Sequence, residues 1–405
     1  MSAEKQSAAS TPARLYRHAR NAVFGAIAAY ALVVILVMTP IIQTYVLYAH
    51  HIDFLWYNKF DHPEDYGLAP GKTVNLRLNS ADGTQLGAWF LFSHPFYRSL
   101  PYPPQPNTDF SFPQKKLIPE ALQRGPTILF LHGNTGTRAH PLRTGLYASF
   151  TTRLNANVLA IDYRGFGDSE GHPTVTGVSK DARAGWDYLI QQGAKPEDIL
   201  ILGHSLGTAI AGLLSAELGK EGIHPRGTVL MSPFSSVRKL IDQYYLFSVL
   251  PLLKPLQAIP LAPRLLTWSL VHRFDTLTLV PDIKSSVLLV HADDDWDIPS
   301  SHSTTLFDAF LEPHLPSPAH VPENPLSAAE WENYTIQDTM RISKRKNLVS
   351  TTHIAGFGLY EETNPELVAL EGRKVALLRT ERGKHDIGRV EGVQDTIGRM
   401  FGFYE

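Results

Sequence analysis

Gly203-His204-Ser205-Leu206-Gly207 lies between a largely apolar run, residues 198–202, and a stretch of helical character that begins at Leu206. The pattern is G-x-S-x-G at a turn from strand to helix. Such a turn is tight enough to lift a serine Oγ above a sheet. Side chains at either glycine would collide with the neighbouring strand and helix. A chain of this length contains the bare pattern by chance with a probability of roughly 0.1. Its meaning depends on what stands before and after it.

Residues 72–79 and 85–92 flank Ala81-Asp82-Gly83, a turn signal, and read as an antiparallel hairpin. Short apolar runs follow at 127–131, 157–161, 199–202, 227–231, 287–290 and 375–378, and suit strands buried on both faces. Helical stretches at 179–192, 207–218, 301–310 and 390–401 separate most of them. The alternation predicts an α/β fold, a mostly parallel twisted sheet with helices on both faces. Two segments break the rhythm. Residues 236–280 are apolar, interrupted by Pro251, Pro255, Pro260 and Pro263, and read as a cap or lid. Residues 313–364 are mixed and polar and read as a surface insertion. The insertion carries the glycosylation sequon Asn333-Tyr334-Thr335, which matters only if this domain is lumenal.

With 405 residues, the chain can form one large α/β domain plus appendages, or two ordinary domains. A net charge of -2 argues against a general attraction to nucleic acid. There is no cysteine, so structural disulfides and a cysteine nucleophile are excluded while the redox compartment stays open. Many of the 29 prolines cluster between residues 93 and 126, a long irregular excursion. The sequence contains neither an internal repeat nor a cluster with metal-ligand spacing.

Residues 21–49 carry no Asp, Glu, Lys or Arg, and 22–38 are almost wholly apolar. About 20 apolar residues are needed to cross a bilayer, which this segment reaches if it continues past Pro40, a kink that membrane helices tolerate. Lys5, Arg14, Arg17 and Arg20 precede it, whereas Asp53, Asp61, Glu64 and Asp65 outweigh Lys59 beyond it. That asymmetry puts the N-terminus in the cytosol and the rest across the membrane. Tyr45, Tyr48, Trp56 and Tyr57 suit an interfacial aromatic belt. A cleaved signal peptide fits less well, because no small-x-small site follows the long apolar run. The basic, acid-poor start also has some features of a mitochondrial presequence. The domains so drawn are a cytosolic tail (1–20), an anchor (21–49), a linker (50–71) and a catalytic domain (72–405).

Acyl transfer by a serine needs an oxyanion site, a base and an acid. His132-Gly133-Asn134-Thr135-Gly136 follows the run at 127–131 and gives an H-G-x-x-G loop whose backbone N–H groups can face an oxyanion. Asn134 is the first donor chosen, and Leu206, next after the serine, is the second. After the run at 287–290, Asp293, Asp294, Asp295 and Asp297 offer four carboxylates. His385 follows the last strand-like run and precedes the final helix, where its ring can reach between serine and acid. His353, its competitor, lies inside the insertion.

Asp162-Tyr163-Arg164-Gly165-Phe166-Gly167-Asp168-Ser169, together with Gly-His-Ser-Leu-Gly-Thr at 203–208, resembles α/β-hydrolases of the serine lipase type. Met231-Ser232-Pro233-Phe234 and the pattern His-Ala-x-Asp-Asp-x-x-x-Pro at 291–299 narrow the match. With the N-terminal anchor, the chain looks like the membrane-bound lysophosphatidylserine and monoacylglycerol lipases. The resemblance covers residues 72–310 and resumes near His385. It implies an α/β-hydrolase fold, the order Ser205, Asp295, His385, and an acid four residues before the proline, which selects Asp295. Trp296 and Asp297 depart from the usual small or apolar pair after the acid, and His385-Asp386-Ile387-Gly388 is one residue shorter than the family's histidine motif.

The function so implied is hydrolysis of a lipid ester through an acyl-enzyme, with no metal and no cofactor. The partners are a lipid ester and a membrane, with no nucleic acid; the oligomeric state is open. The resemblance places the catalytic domain in the lumen of the endoplasmic reticulum. The same residues are also compatible with a protein thioester or peptide as substrate, or with a vestigial triad in a membrane-tethered interaction protein.

Overall fold

Runs of β-branched and leucine residues bounded by helices can bury both faces only in the middle of a sheet. The computed structural model, which describes residues 11–52, 59–102, 113–243, 245–246, 250–251, 262–364 and 372–404, puts them there. In chain order the strands are β1 (Thr73–Asn79), β2 (Gln85–Leu91), β3 (Thr127–Leu131), β4 (Asn157–Ile161), β5 (Ile199–His204) and β6 (Gly227–Met231). They continue with β7 (Tyr245–Leu246), β8 (Leu250–Pro251), β9 (Val287–Ala292), β10 (Val349–Ile354), β11 (Gly358–Thr363) and β12 (Val375–Thr380). All but β7 and β8 join one ten-stranded sheet, ordered β1-β2-β4-β3-β5-β6-β9-β12-β11-β10.

The six central strands, β4-β3-β5-β6-β9-β12, are parallel. The β1–β2 hairpin adds an antiparallel edge on one side, and β11 with β10 adds another on the opposite side. Every residue of β3, β4, β6 and β9 is buried. Ile128, Phe130, Leu200 and Leu202 share a core with Tyr147, Phe150, Val393 and Ile397 from the helices Pro141–Arg153 and Glu391–Met400. Leu129 and Ile161 turn to the other face. There Gly185 of helix Val175–Gln191 packs so closely that a Cβ on it would lie 3.0 Å from Leu129 and 3.3 Å from Ile161. Each such buried side chain stabilises the fold by about 1.5–3 kcal/mol, so the central strands dominate its stability.

Strands β3, β4 and β6 begin and end where the apolar runs do. Strands β5, β9 and β12 run two residues further, through His204, Ala292 and Thr380, because pairing continues past the last apolar side chain. The insertion is more ordered than its polar composition suggests. Ser327 caps a helix, Ala328–Leu348, by accepting the Glu330 N–H, and the remainder forms β10 and β11. Strand β10 is exposed along five of its six residues, which is why no apolar run announced it. The helix Pro141–Arg153 also went unread, although Pro141 opens it and the His140 side chain caps it.

By its contacts the chain divides into two units, residues 1–47 with 242–272, and residues 48–241 with 273–405. In the first unit, the helix Thr11–Val37 contains a stretch, Arg14–Val37, long and apolar enough to cross a membrane. Its 24 residues measure about 36 Å, against a hydrocarbon core of about 30 Å. Pro40 does not kink this helix but opens a second one, Pro40–Tyr48. Gln43 binds the chain at the end of the helix Ala262–Ser269. Its amide donates to the Ser269 carbonyl at 2.9 Å and its Oε1 accepts the Val271 N–H at 2.9 Å. The segment read as a lid, 236–280, is therefore divided: 242–272 joins the N-terminal helices and its two ends join the larger unit. Tyr48, expected in an interfacial belt, is fully buried in the larger unit. Lys5, Asp53, Trp56, Tyr57, Pro255 and Pro260 lie outside the described residues.

Candidate active site

Strand β5 ends at His204 and the helix Leu206–Lys220 begins one residue later. Ser205 spans the gap with φ 53° and ψ −120°, a left-handed conformation costing a non-glycine residue about 1–3 kcal/mol. The turn is pinned from both sides. The Ser205 N–H donates to the Met231 carbonyl of β6 at 2.9 Å, and its own carbonyl accepts the Thr208 N–H at 2.9 Å. A Cβ on Gly203 would overlap the Gly207 backbone, and one on Gly207 would overlap the Leu131 carbonyl. Both glycines of the motif are required by close approach. Ser205 also stands at the N-cap position of the helix without capping it through its side chain, and the partial positive charge of that N-terminus favours a developing anion there.

The acid loop follows β9. Asp295 Oδ2 lies 2.9 Å from His385 Nδ1 and 3.2 Å from His291 Nε2. Its other oxygen accepts the N–H groups of Asp297 at 2.9 Å and Ile298 at 3.1 Å. Burial by itself would raise the Asp295 carboxyl, but hydrogen bonds from His291 and His385 outweigh it and hold the group well below the usual carboxylate range. The same pairing acts in reverse on His385. Burial would lower its pKa, and the hydrogen bond and charge of Asp295, with Asp297 and Asp386 nearby, raise it.

The histidine is positioned by its backbone as well as its ring. Its carbonyl accepts from Ser232 Oγ at 2.9 Å and lies 2.9 Å from His204 Nε2. The preceding Lys384 N–H donates to Asp294 Oδ1 at 2.7 Å. Asp293 instead pairs with Arg379 at 3.0 Å. The four carboxylates thus divide: Asp295 meets the histidine ring, Asp294 braces its loop, and Asp293 ties β9 to β12. Asp297 keeps an elevated pKa through burial, offset in part by the His385 charge. Asp295, Asp297 and His385 place possible ligand atoms within 4.8 Å of one another, the set that could hold a cation. The Asp295 and His385 atoms of that set already face each other through the ring Nδ1.

The loop after β3 completes the site. Gly133 approaches so closely that a Cβ there would lie 3.2 Å from the Ser205 Cβ. The N–H groups of Asn134 and Leu206 meet no acceptor among the described residues. Ser205, His385 and Asn134 line one open pocket of about 140 Å³, whose apolar wall includes Phe130, Leu142, Leu146 and Met231. Of the two candidate histidines, only His385 reaches this pocket; His353 sits exposed on β10.

His291 escaped the sequence reading of the site. It is fully buried, with Nε2 2.8 Å from the Ile298 carbonyl and Nδ1 2.6 Å from Ser303 Oγ. A ring accepting from Ser303 and donating through Nε2 holds the same Asp295 oxygen that meets His385. The signal was present as the first residue of the pattern at 291–299, read only for its carboxylates.

Fold and site together define a class, the α/β-hydrolases: a mostly parallel sheet with a strained serine on the strand-to-helix turn and an Asp–His pair at neighbouring strand ends. A model of the alpha/beta hydrolase family matches residues 128–355, and the chain belongs to that family as a hydrolase. The lysophosphatidylserine lipase ABHD12 of Danio rerio is 29% identical over 285 residues, 69% of this chain and 69% of that protein. The lysophosphatidylserine lipase ABHD12 of Xenopus tropicalis is 31% identical over 201 residues, 49% of this chain and 48% of that protein, so there the match spans about half of the relative's length. Among solved structures, an esterase of Pyrococcus furiosus is similar over 84% of this chain and 92% of its own, with 16% identity and a TM-score of 0.47.

Proposed function

We propose that this hydrolase is a membrane-anchored serine lipase that cleaves the acyl ester of a lysophospholipid or monoacylglycerol through Ser205, His385 and Asp295. The observation that carries the reading is the 2.9 Å contact of Asp295 with His385 beside the same pocket as the left-handed Ser205. In this reading Asp295 keeps Nδ1 of His385 protonated, which leaves Nε2 free to take the Ser205 proton. The serine Oγ attacks the ester carbonyl and the oxyanion is received by the N–H groups of Asn134 and Leu206. The intermediate collapses as His385 returns its proton to the leaving alkoxide, giving an acyl-enzyme and the free alcohol. A water deprotonated by His385 then attacks the acyl carbon, and the proton goes back to Ser205 as the fatty acid departs.

A lipid substrate is supported by the names of the relatives, by the apolar pocket wall and by the N-terminal span. A substrate with an acyl chain partitions into the bilayer to which the enzyme is tethered. The positive N-terminal flank supports a domain across the membrane from the cytosol, in the lumen of the endoplasmic reticulum.

Purified wild-type and Ser205→Ala protein, assayed against a panel of lysophospholipids and monoacylglycerols and with a fluorophosphonate probe, test this directly. Ser205→Ala is expected to abolish labelling and to cut turnover by at least ~10³. Labelling that persists in the alanine variant points to another serine and ends the assignment. Wild-type labelling without turnover of any lipid in the panel moves the substrate to a protein thioester or peptide.

A further inference from the structure

Arg143 lies in the first turn of the helix Pro141–Arg153, beside the loop that follows β3. Its guanidinium donates to the carbonyls of Thr137 at 2.8 Å, Gly133 at 3.2 Å, Asn134 at 3.1 Å and Thr135 at 2.6 Å. Among the described residues no carboxylate is within ion-pair distance of it. Removal from water lowers its pKa, and the charges of Asp162 and Asp386, beyond ion-pair distance, offset this only in part. A cation is costly to withdraw from water without a directly paired carboxylate, and here the carbonyls of one loop take its donors instead.

What it secures follows from the geometry of a trans peptide, in which the C=O and the next N–H point in opposite directions. The Gly133 oxygen is drawn towards Arg143 and also lies 2.7 Å from His132 Nδ1, which turns the Asn134 N–H the opposite way. Drawing the Asn134 oxygen the same way turns the Thr135 N–H, which is already spent on the Tyr48 carbonyl at 3.0 Å. The Asn134 N–H meets no acceptor among the described residues, on a peptide whose Gly133 lies against Ser205. The loop also holds Thr135 at φ 61°, a left-handed conformation costly for a residue other than glycine, and leads into Gly136 at φ 65°. We propose that Arg143 is a positioning residue: it sets the orientation of the Gly133–Asn134 peptide, aims the Asn134 N–H at the oxyanion and polarises that donor with its charge. The inference rests on the reading of Ser205 as the nucleophile.

The full-length protein in detergent serves for the test, with kcat and KM measured on a short-chain p-nitrophenyl ester for wild type, Arg143→Ala, Arg143→Lys and Ser205→Ala. Inhibition by a trifluoromethyl ketone, whose adduct carries the oxyanion, is measured alongside inhibition by the product fatty acid. Arg143→Ala is expected to lower kcat by ~10²–10³, the range for one lost oxyanion donor, with KM within about threefold of wild type. Ketone affinity falls by a similar factor while fatty-acid affinity holds, and added methylguanidine restores part of kcat. Should the alanine variant not fold, Arg143→Lys carries the same comparison with a smaller loss. The inference is overturned if kcat stays within threefold of wild type. It is equally overturned if kcat falls with no matching loss of ketone affinity. Activity retained by Ser205→Ala removes the serine reading itself, a different result from a normal Arg143 variant beside an inert Ser205→Ala.

Discussion

Asp295 and His385 state the residue-scale problem: a buried carboxylate and a partly buried imidazole each shift the other. Asp295→Asn keeps the shape but loses the charge and the correct tautomer, so kcat is expected to fall by up to ~10⁴. Asp293→Asn leaves only a strand tie weakened, and Asp294→Asn can still accept the Lys384 N–H, so both should change kcat far less. A crippled Asp297→Asn beside an active Asp295→Asn would put the acid two residues later. The pH profile follows from the same pair. His385 acts as a base only when neutral, and its pKa is raised. Activity is therefore present above that pKa and lost as pH falls through it, with an acid limb in kcat/KM above the ordinary histidine value of about 6.5. Asp297→Asn removes one of the charges that raise it, so the limb should move to lower pH.

At the scale of elements, the loop after β3 is tied to the end of β4 by a buried ion network. Arg138 is fully buried, pairs with Asp162 at 2.5 Å and Asp168 at 2.7 Å, and stacks over Phe60 at 3.9 Å. Asp162 also accepts the Arg138 backbone N–H at 2.6 Å, so one carboxylate fixes both the side chain and the turn. The Asp-Tyr-Arg-Gly-Phe-Gly segment thus has a structural role. Removing one member strands a buried charge, which is worse than removing the pair. Asp162→Ala should lower the unfolding free energy by about 3–5 kcal/mol, read from the urea midpoint of the same protein. A midpoint unchanged within error would mean that Asp168 alone suffices to neutralise Arg138.

For the whole molecule, the question is which side of the membrane the chemistry occupies. Arg14, Arg17 and Arg20 sit at the start of the stretch that is long and apolar enough to cross a membrane, or just inside it, where positive charge counts most towards orientation. In sealed microsomes a C-terminal tag is expected to resist protease until detergent is added. Asn333 is exposed on the helix Ala328–Leu348, rather than in a loop, and a lumenal domain should show a glycosidase-sensitive mass shift at that sequon. Digestion of the tag without detergent reverses the orientation and puts the enzyme on cytosolic lipids.

The sequence by itself determined the parallel core, the serine turn and the order of the reactive groups. Those features are written in local patterns: apolar runs too short for helices, and glycines where strand and helix approach within contact distance. Strands β3, β4 and β6 were legible to the residue for that reason. What only the tertiary structure decided depends on partners distant in the chain. Strand β10 exists because β11 pairs with it, not because its own Ser, Thr and His residues favour burial. Tyr48 is apolar enough for a membrane interface, yet it packs on Phe274 in the hydrolase unit. Among the four carboxylates after β9, composition alone offers nearly equal candidates, and it was the resemblance, through the spacing to Pro299, that selected Asp295. The tertiary structure supplies the physical reason: the His385 loop, 90 residues later, brings its imidazole to Asp295.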